Sequence, residues 1–151
     1  MKVTQFIVLS LLALFITAPV AQAQGKAKQG PDILRDSELE KDSLHNLEVA
    51  RHYFKLKKAY IAALQRCEEI IAGNPMFSKI DEVLFIAGES SLRLSESKGK
   101  QTSKTPPDKL REDARDYLSQ LVNDYPDSKF KTEALDDLKA LGGPKPKESK
   151  Q

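Results

Sequence analysis

One spacing occurs twice in this chain. Ala63 is followed twelve residues later by Pro75, and Ala114 is followed twelve residues later by Pro126. Between them run Leu-Gln-Arg-Cys-Glu-Glu-Ile-Ile-Ala-Gly-Asn and Arg-Asp-Tyr-Leu-Ser-Gln-Leu-Val-Asn-Asp-Tyr. Both stretches start on a small residue, place aliphatic side chains at helical intervals and end on a Pro that cannot continue a helix. A segment built this way is the second arm of a helical hairpin, because its small residue lets the first arm approach closely. Two copies predict a chain of stacked hairpins.

The N-terminus reads as a separate segment. Lys2 gives a positive start, and an apolar run of 15 residues from Phe6 to Val20 follows. Ala21-Gln22-Ala23 then has the small-x-small pattern of a cleavage site. The run is shorter than the roughly 20 residues that span a bilayer. Residues 1–23 are therefore expected to be a signal peptide, and the processed chain to start at Gln24. Removing them takes away one Lys and no acid, leaving 23 basic against 22 acidic side chains, a net of +1. A balanced, tryptophan-free chain gives no electrostatic reason to expect nucleic acid. The lone cysteine, Cys67, excludes an internal disulfide and a zinc set. Its neighbours Leu64, Ile70 and Ile71 point to burial.

Helical periodicity divides the remainder. Residues 24–42 are polar and read as a flexible tether. The folded region is expected over residues 43–141, and residues 142–151 are expected to be a disordered, charged tail. A first helix begins at Ser43, capped by Asp42 or Ser43, with Leu44, Leu47, Ala50 and Phe54 on one side and Lys55, Lys57 and Lys58 crowding its end. The later helices are expected over about 60–72, 79–95, 108–124 and 129–141, with Ser78 and Asp108 as caps and Asp127 and Ser128 opening the last. Residues 97–107 carry Lys98, Lys100 and Lys104 and, apart from two prolines, no apolar side chain, so they read as a solvated insert. No stretch alternates as a strand does. The fold class is all-α: two helical hairpins plus a C-terminal capping helix.

The hairpins resemble tetratricopeptide repeats, whose period is about 34 residues. Ala50 and Ala63 stand at the small positions of the first repeat, and Gly88 and Ala114 at those of the second. Three stretches are similar to the BamD family of outer-membrane β-barrel assembly lipoproteins: Leu47 to Ala63 (LEVARHYFKLKKAYIAA), Ala87-Gly-Glu-Ser-Ser-Leu-Arg-Leu94 and Asn123-Asp-Tyr-Pro-Asp-Ser128. The resemblance covers about residues 44–141. It implies a non-catalytic scaffold that holds an extended or helical protein segment on the face built by the first helices. Carried over by position, that face presents Leu44, Leu47, Arg51, Phe54 and Lys55, then Phe85, Glu89, Leu92 and Arg93. The family's lipid-attachment Cys has no counterpart after Ala23, so a short, unlipidated form is expected, periplasmic or associated with the outer membrane.

Three functional readings follow. The first is a protein-interaction scaffold resembling BamD, with outer-membrane assembly components as candidate partners and only peripheral membrane contact. The second is a general periplasmic adaptor in cell-wall or secretion assemblies. The third is an accessory or small-molecule sensor domain of an enzyme. No Ser/His/Asp or Cys/His set and no glycine-rich phosphate loop is identifiable, so no catalytic or cofactor-binding residues are expected. His45, Glu48 and His52 share a helical face, but a third or fourth ligand is missing, and a solvated polar face is the expectation there.

Overall fold

A computed structural model describes residues 37–147. All of them belong to one compact unit, residues 34–151. The expected signal peptide and most of the expected tether lie outside the described residues. Five α-helices and no strand occur among those described: α1 (Ser37–His52), α2 (Tyr60–Gly73), α3 (Ile80–Ser95), α4 (Pro107–Asp124) and α5 (Lys131–Ala140). Each helix packs on the next, and α3 also touches α1. The result is the expected all-α array of two hairpins, α1–α2 and α3–α4, followed by α5.

The centre of the array is α3. Twelve of its sixteen residues are buried, which is possible only because it has neighbours on several sides. Val83, Leu84, Phe85, Ile86 and Ala87 join Leu47, Ala63, Cys67, Leu118, Leu121 and Leu138 in one core. Fully burying each such aliphatic side chain stabilises the fold by roughly 1.5–3 kcal/mol. The small positions are where the helices come closest. Ala50, Ala63 and Ala114 have no exposed surface. At Gly88 an added Cβ would stand 2.6 Å from the Leu118 side chain.

The helix ends depart from the sequence expectation. The first helix starts six residues early, at Ser37, inside the span read as tether. Glu38 and Glu40 occupy its first turn, where acids suit the helix dipole. Ser43 is therefore not a cap but a buried residue inside α1. Its hydroxyl donates to the Leu39 carbonyl at 2.7 Å and accepts from Asn74 Nδ2 at 3.1 Å. The Ser78 N–H donates to Glu40 Oε1 at 3.2 Å. These bonds tie the start of α1 to the Pro75 loop, which holds the early turn in place. Ser78 and Asp108 do not cap with their side chains: α3 follows Lys79, and α4 begins on Pro107 at its first position. α5 begins two residues later than expected, because Ser128 turns away to donate to Asp81 Oδ2 at 2.7 Å and to accept the Phe130 N–H at 3.2 Å.

Two connections are also more ordered than their composition implied. After His52 the chain widens into one π-helical turn, Tyr53–Lys57, and closes with Lys58 in the left-handed region at φ 50°. The 97–107 insert folds back on this turn. Lys100 N–H donates to the Lys58 carbonyl at 3.3 Å. Gly99, at φ 100°, passes so close that a Cβ there would lie 2.7 Å from Tyr60 and 2.9 Å from the Lys58 carbonyl oxygen. At the other end, residues 142–147 are no loose tail. Gly142 and Gly143 turn the chain at φ 91° and 85°. Arg115 then donates to their carbonyls at 3.1 and 2.7 Å. Ser119 Oγ accepts the Lys145 N–H at 2.8 Å, and Asn123 donates to the Lys145 carbonyl at 2.9 Å. The segment thus runs alongside α4 as a strap, with Lys147 on Asp124 at 2.8 Å.

Candidate functional site

The face expected to hold a partner is built where α1 and its π-turn meet α3. Arg51 forks onto Glu82: Nε to Oε1 and a terminal nitrogen to Oε2, both at 2.6 Å. Burial would push the Glu82 carboxyl up, but the Arg51 hydrogen bonds and charge outweigh it and leave the group below its ordinary value. The Arg51 guanidinium is raised in turn, chiefly by that hydrogen bond. One step further along, the Phe54 and Tyr60 rings lie 5.6 Å apart and tilted by 60°. The Arg93 guanidinium sits over both, 5.3 Å from Phe54 and 5.8 Å from Tyr60. Its other side is clamped by Glu89, one helical turn back on the same helix. A cation held between aromatic faces and a buried carboxylate is fixed in place before any partner arrives.

Beyond Glu89 stands Asp137 of α5. Burial, then the hydrogen bond and charge of Glu89, with Glu133 adding, push the Asp137 carboxyl up to about 7, against the opposing pull of Arg93. Nearer the start of α5, Phe85 and Phe130 stack at 4.8 Å, and the Lys129 ammonium lies 4.8 Å from the Phe130 ring centre. The order along the face is therefore Arg51–Glu82, the two rings, Arg93–Glu89 and Asp137.

The nine side chains carried over by resemblance divide. Arg51, Phe54, Leu92 and Arg93 are half-buried, while Lys55 and Leu44 are exposed. Leu47, at 0 % exposure, and Phe85, at 7 %, belong to the core. They are closed to a partner because α1 packs on α2 and α3, and Phe85 is covered by the Phe130 ring. Glu89 is also buried, at 4 %, and acts by holding Arg93. Sequence reasoning missed Glu82, Tyr60 and Asp137 as members of the site. The signal for Glu82 and Glu89 was an acid inside an otherwise apolar helix, a position that needs a paired cation. Nothing local marked Asp137.

Other groups are less assembled. His45, Glu48 and His52 are exposed, and no group of three His, Cys, Asp or Glu side chains is placed to hold a metal ion among the described residues. Cys67 is free and buried, with its thiol pushed up by burial and then by the charges of Glu68 and Glu82. An open cleft of about 410 Å³ lies between the two Pro loops, lined by Met76, Phe77, Tyr125 and Pro126. No helix among the described residues is long and apolar enough to cross a membrane.

No curated protein and no solved structure matches the chain. A family model described as YfiO, outer membrane lipoprotein, matches residues 46–142. That span takes in the last seven residues of α1 and the whole of α2 to α5, and with them every residue of the face described above except Leu44. The chain belongs to the YfiO family of outer membrane lipoproteins.

Proposed function

We propose that the chain is a non-catalytic docking module of the bacterial envelope that receives a protein segment on the α1–α3 face, with components of outer-membrane assembly as its partners. The observation that carries this reading is the Arg93 guanidinium, set over Phe54 and Tyr60 and clamped by Glu89, in a chain of an outer membrane lipoprotein family. Arg and aromatic side chains dominate binding hot spots when they are held rigid at a partly desolvated surface. Arg51, Phe54, Lys55, Leu92 and Arg93 are the proposed contact residues. Export follows from the order of Lys2, the apolar run and Ala21-Gln22-Ala23. The burial of Cys67, the sole cysteine, speaks against an acyl group at that position.

Alanine replacement is a poor probe of this face. Removing Arg51 would strand the buried Glu82 carboxylate at a cost of about 3 kcal/mol, so lost binding would be confused with lost fold. A photo-activated crosslinker placed at Lys55 or Leu92 avoids this. Adducts with an outer-membrane assembly component are expected from both positions and not from Lys109 or Lys139. Adducts arising only from the latter pair would move the interface elsewhere. The intact mass of the recovered chain reads the N-terminus and any acyl group.

A further inference from the structure

We propose that the end of the molecule formed by the α1–α2 turn and the 97–107 insert is a docking surface for the anionic phospholipid headgroups of a membrane leaflet. Three independent features converge there. The first is charge. Lys55, Lys57 and Lys58 are consecutive around the turn except for Leu56, and all are exposed. Lys98 and Lys100 join them, because the Lys100 N–H is bonded to the Lys58 carbonyl at 3.3 Å. Of these five lysines only Lys98 is in an ion pair among the described residues, with Glu96 at 2.8 Å. The second is an apolar tip. Leu56, between Lys55 and Lys57, is 71 % exposed, the most exposed large hydrophobic side chain among the described residues. A protruding leucine ringed by ammonium groups suits the boundary between headgroups and acyl chains, where apolar insertion and electrostatic attraction add.

The third feature is the backbone. The π-turn ends on Lys58 and the insert begins on Ser97, the two non-glycine residues among those described with positive φ, at 50° and 57°. Both left-handed residues fall at this one end, where the insert is bent onto the turn. Behind the tip the insert encloses a cleft of about 290 Å³, lined by Lys100, Thr102, Ser103 and Thr105. An ammonium and several hydroxyls are the donors that a headgroup phosphate accepts from. A flat anionic layer fits the convex tip better than an acidic peptide, which would need a groove along the lysines.

The surface adjoins the α1–α3 face along the π-turn and shares Lys55 with it, so the test leaves Lys55 untouched. Hydrogen–deuterium exchange of the full chain is followed with phosphatidylglycerol vesicles and with phosphatidylcholine vesicles. Slowed exchange is expected in residues 53–60 and 97–105 with phosphatidylglycerol alone, fading as salt is raised. The triple variant Lys57→Gln, Lys58→Gln, Lys100→Gln should lose vesicle affinity by about a hundredfold, roughly fivefold for each lysine. Leu56→Ser, which leaves the turn and all its charges in place, should also weaken binding. No local protection with phosphatidylglycerol, or unchanged protection in both variants, would overturn the proposal. Protection by polyglutamate but not by vesicles would also overturn it, in favour of an acidic protein.

Discussion

Asp137 is the residue whose behaviour departs furthest from its side chain's habit. It faces Glu89 and Arg93 of α3 and has Glu133 on its own helix, and its carboxyl is pushed up to about 7, by burial first and by Glu89 next. The unfolded value is near 3.9. The folded value is thus the higher one, and the fold favours the protonated acid. The resulting stability is complete below about pH 4 and is lost as pH rises through about 7. The melting temperature should therefore rise on acidification from pH 8 to pH 5.5. Asp137→Asn, which keeps a donor toward Glu89, should raise it at pH 8 and flatten that part of the profile. Thermal melts of both proteins across this range check it, and an equal pH response in the two would assign the effect to other groups. Nothing in the sequence disclosed this pair. Asp137 and Glu89 lie on helices separated in sequence by the insert and all of α4, and their conflict exists only once α5 has docked.

At the scale of the helix, the legible part was the repeat. The Ala–Pro spacing identified α2 and α4, and the small positions Ala50, Ala63, Gly88 and Ala114 all lie where helices meet. Boundaries were less legible, because tertiary bonds set them: Glu40 and Asn74 hold the early start of α1, and Asp81 delays α5. The face was half legible. Arg51, Phe54 and Arg93, expected there by position, do share one partly exposed face, whereas Leu47 and Phe85 share their periodicity with the core and nothing in a single sequence separates the two. Gly88→Ala tests the closest crossing. A glycine inside a helix ordinarily costs about 1 kcal/mol relative to alanine, so the substitution should stabilise an open site. Here the new Cβ would stand 2.6 Å from Leu118, whose side chain is itself fully buried and has nowhere to move. Overpacking should win and destabilise the protein by about 1–3 kcal/mol, read as a lowered denaturant midpoint. A raised midpoint would show that α4 yields easily at this crossing.

For the whole molecule, the strap formed by residues 142–147 matters more than its composition implied. Its polar bonds to Arg115, Ser119 and Asn123 are worth about 1 kcal/mol each, whereas the exposed pair of Lys147 and Asp124 adds little. Truncation after Leu141 should therefore lower the melting temperature and speed hydrogen exchange in the second half of α4, while exchange in α2 changes only with global stability. Equal acceleration in both helices would mean that the strap acts on the array as a unit. The array as a unit is also what guards Cys67. Its sulfur lies at zero exposure in the middle of α2, and its thiol is held in the unreactive protonated form. Alkylation must wait for the core to come apart, so the rate at which an added maleimide consumes the thiol is a clock for the opening of the native protein, readable without denaturant. In an oxidising compartment the same clock runs unprompted: a folded chain keeps its single thiol reduced, and a chain that has failed to fold is the one that becomes covalently joined to a neighbour.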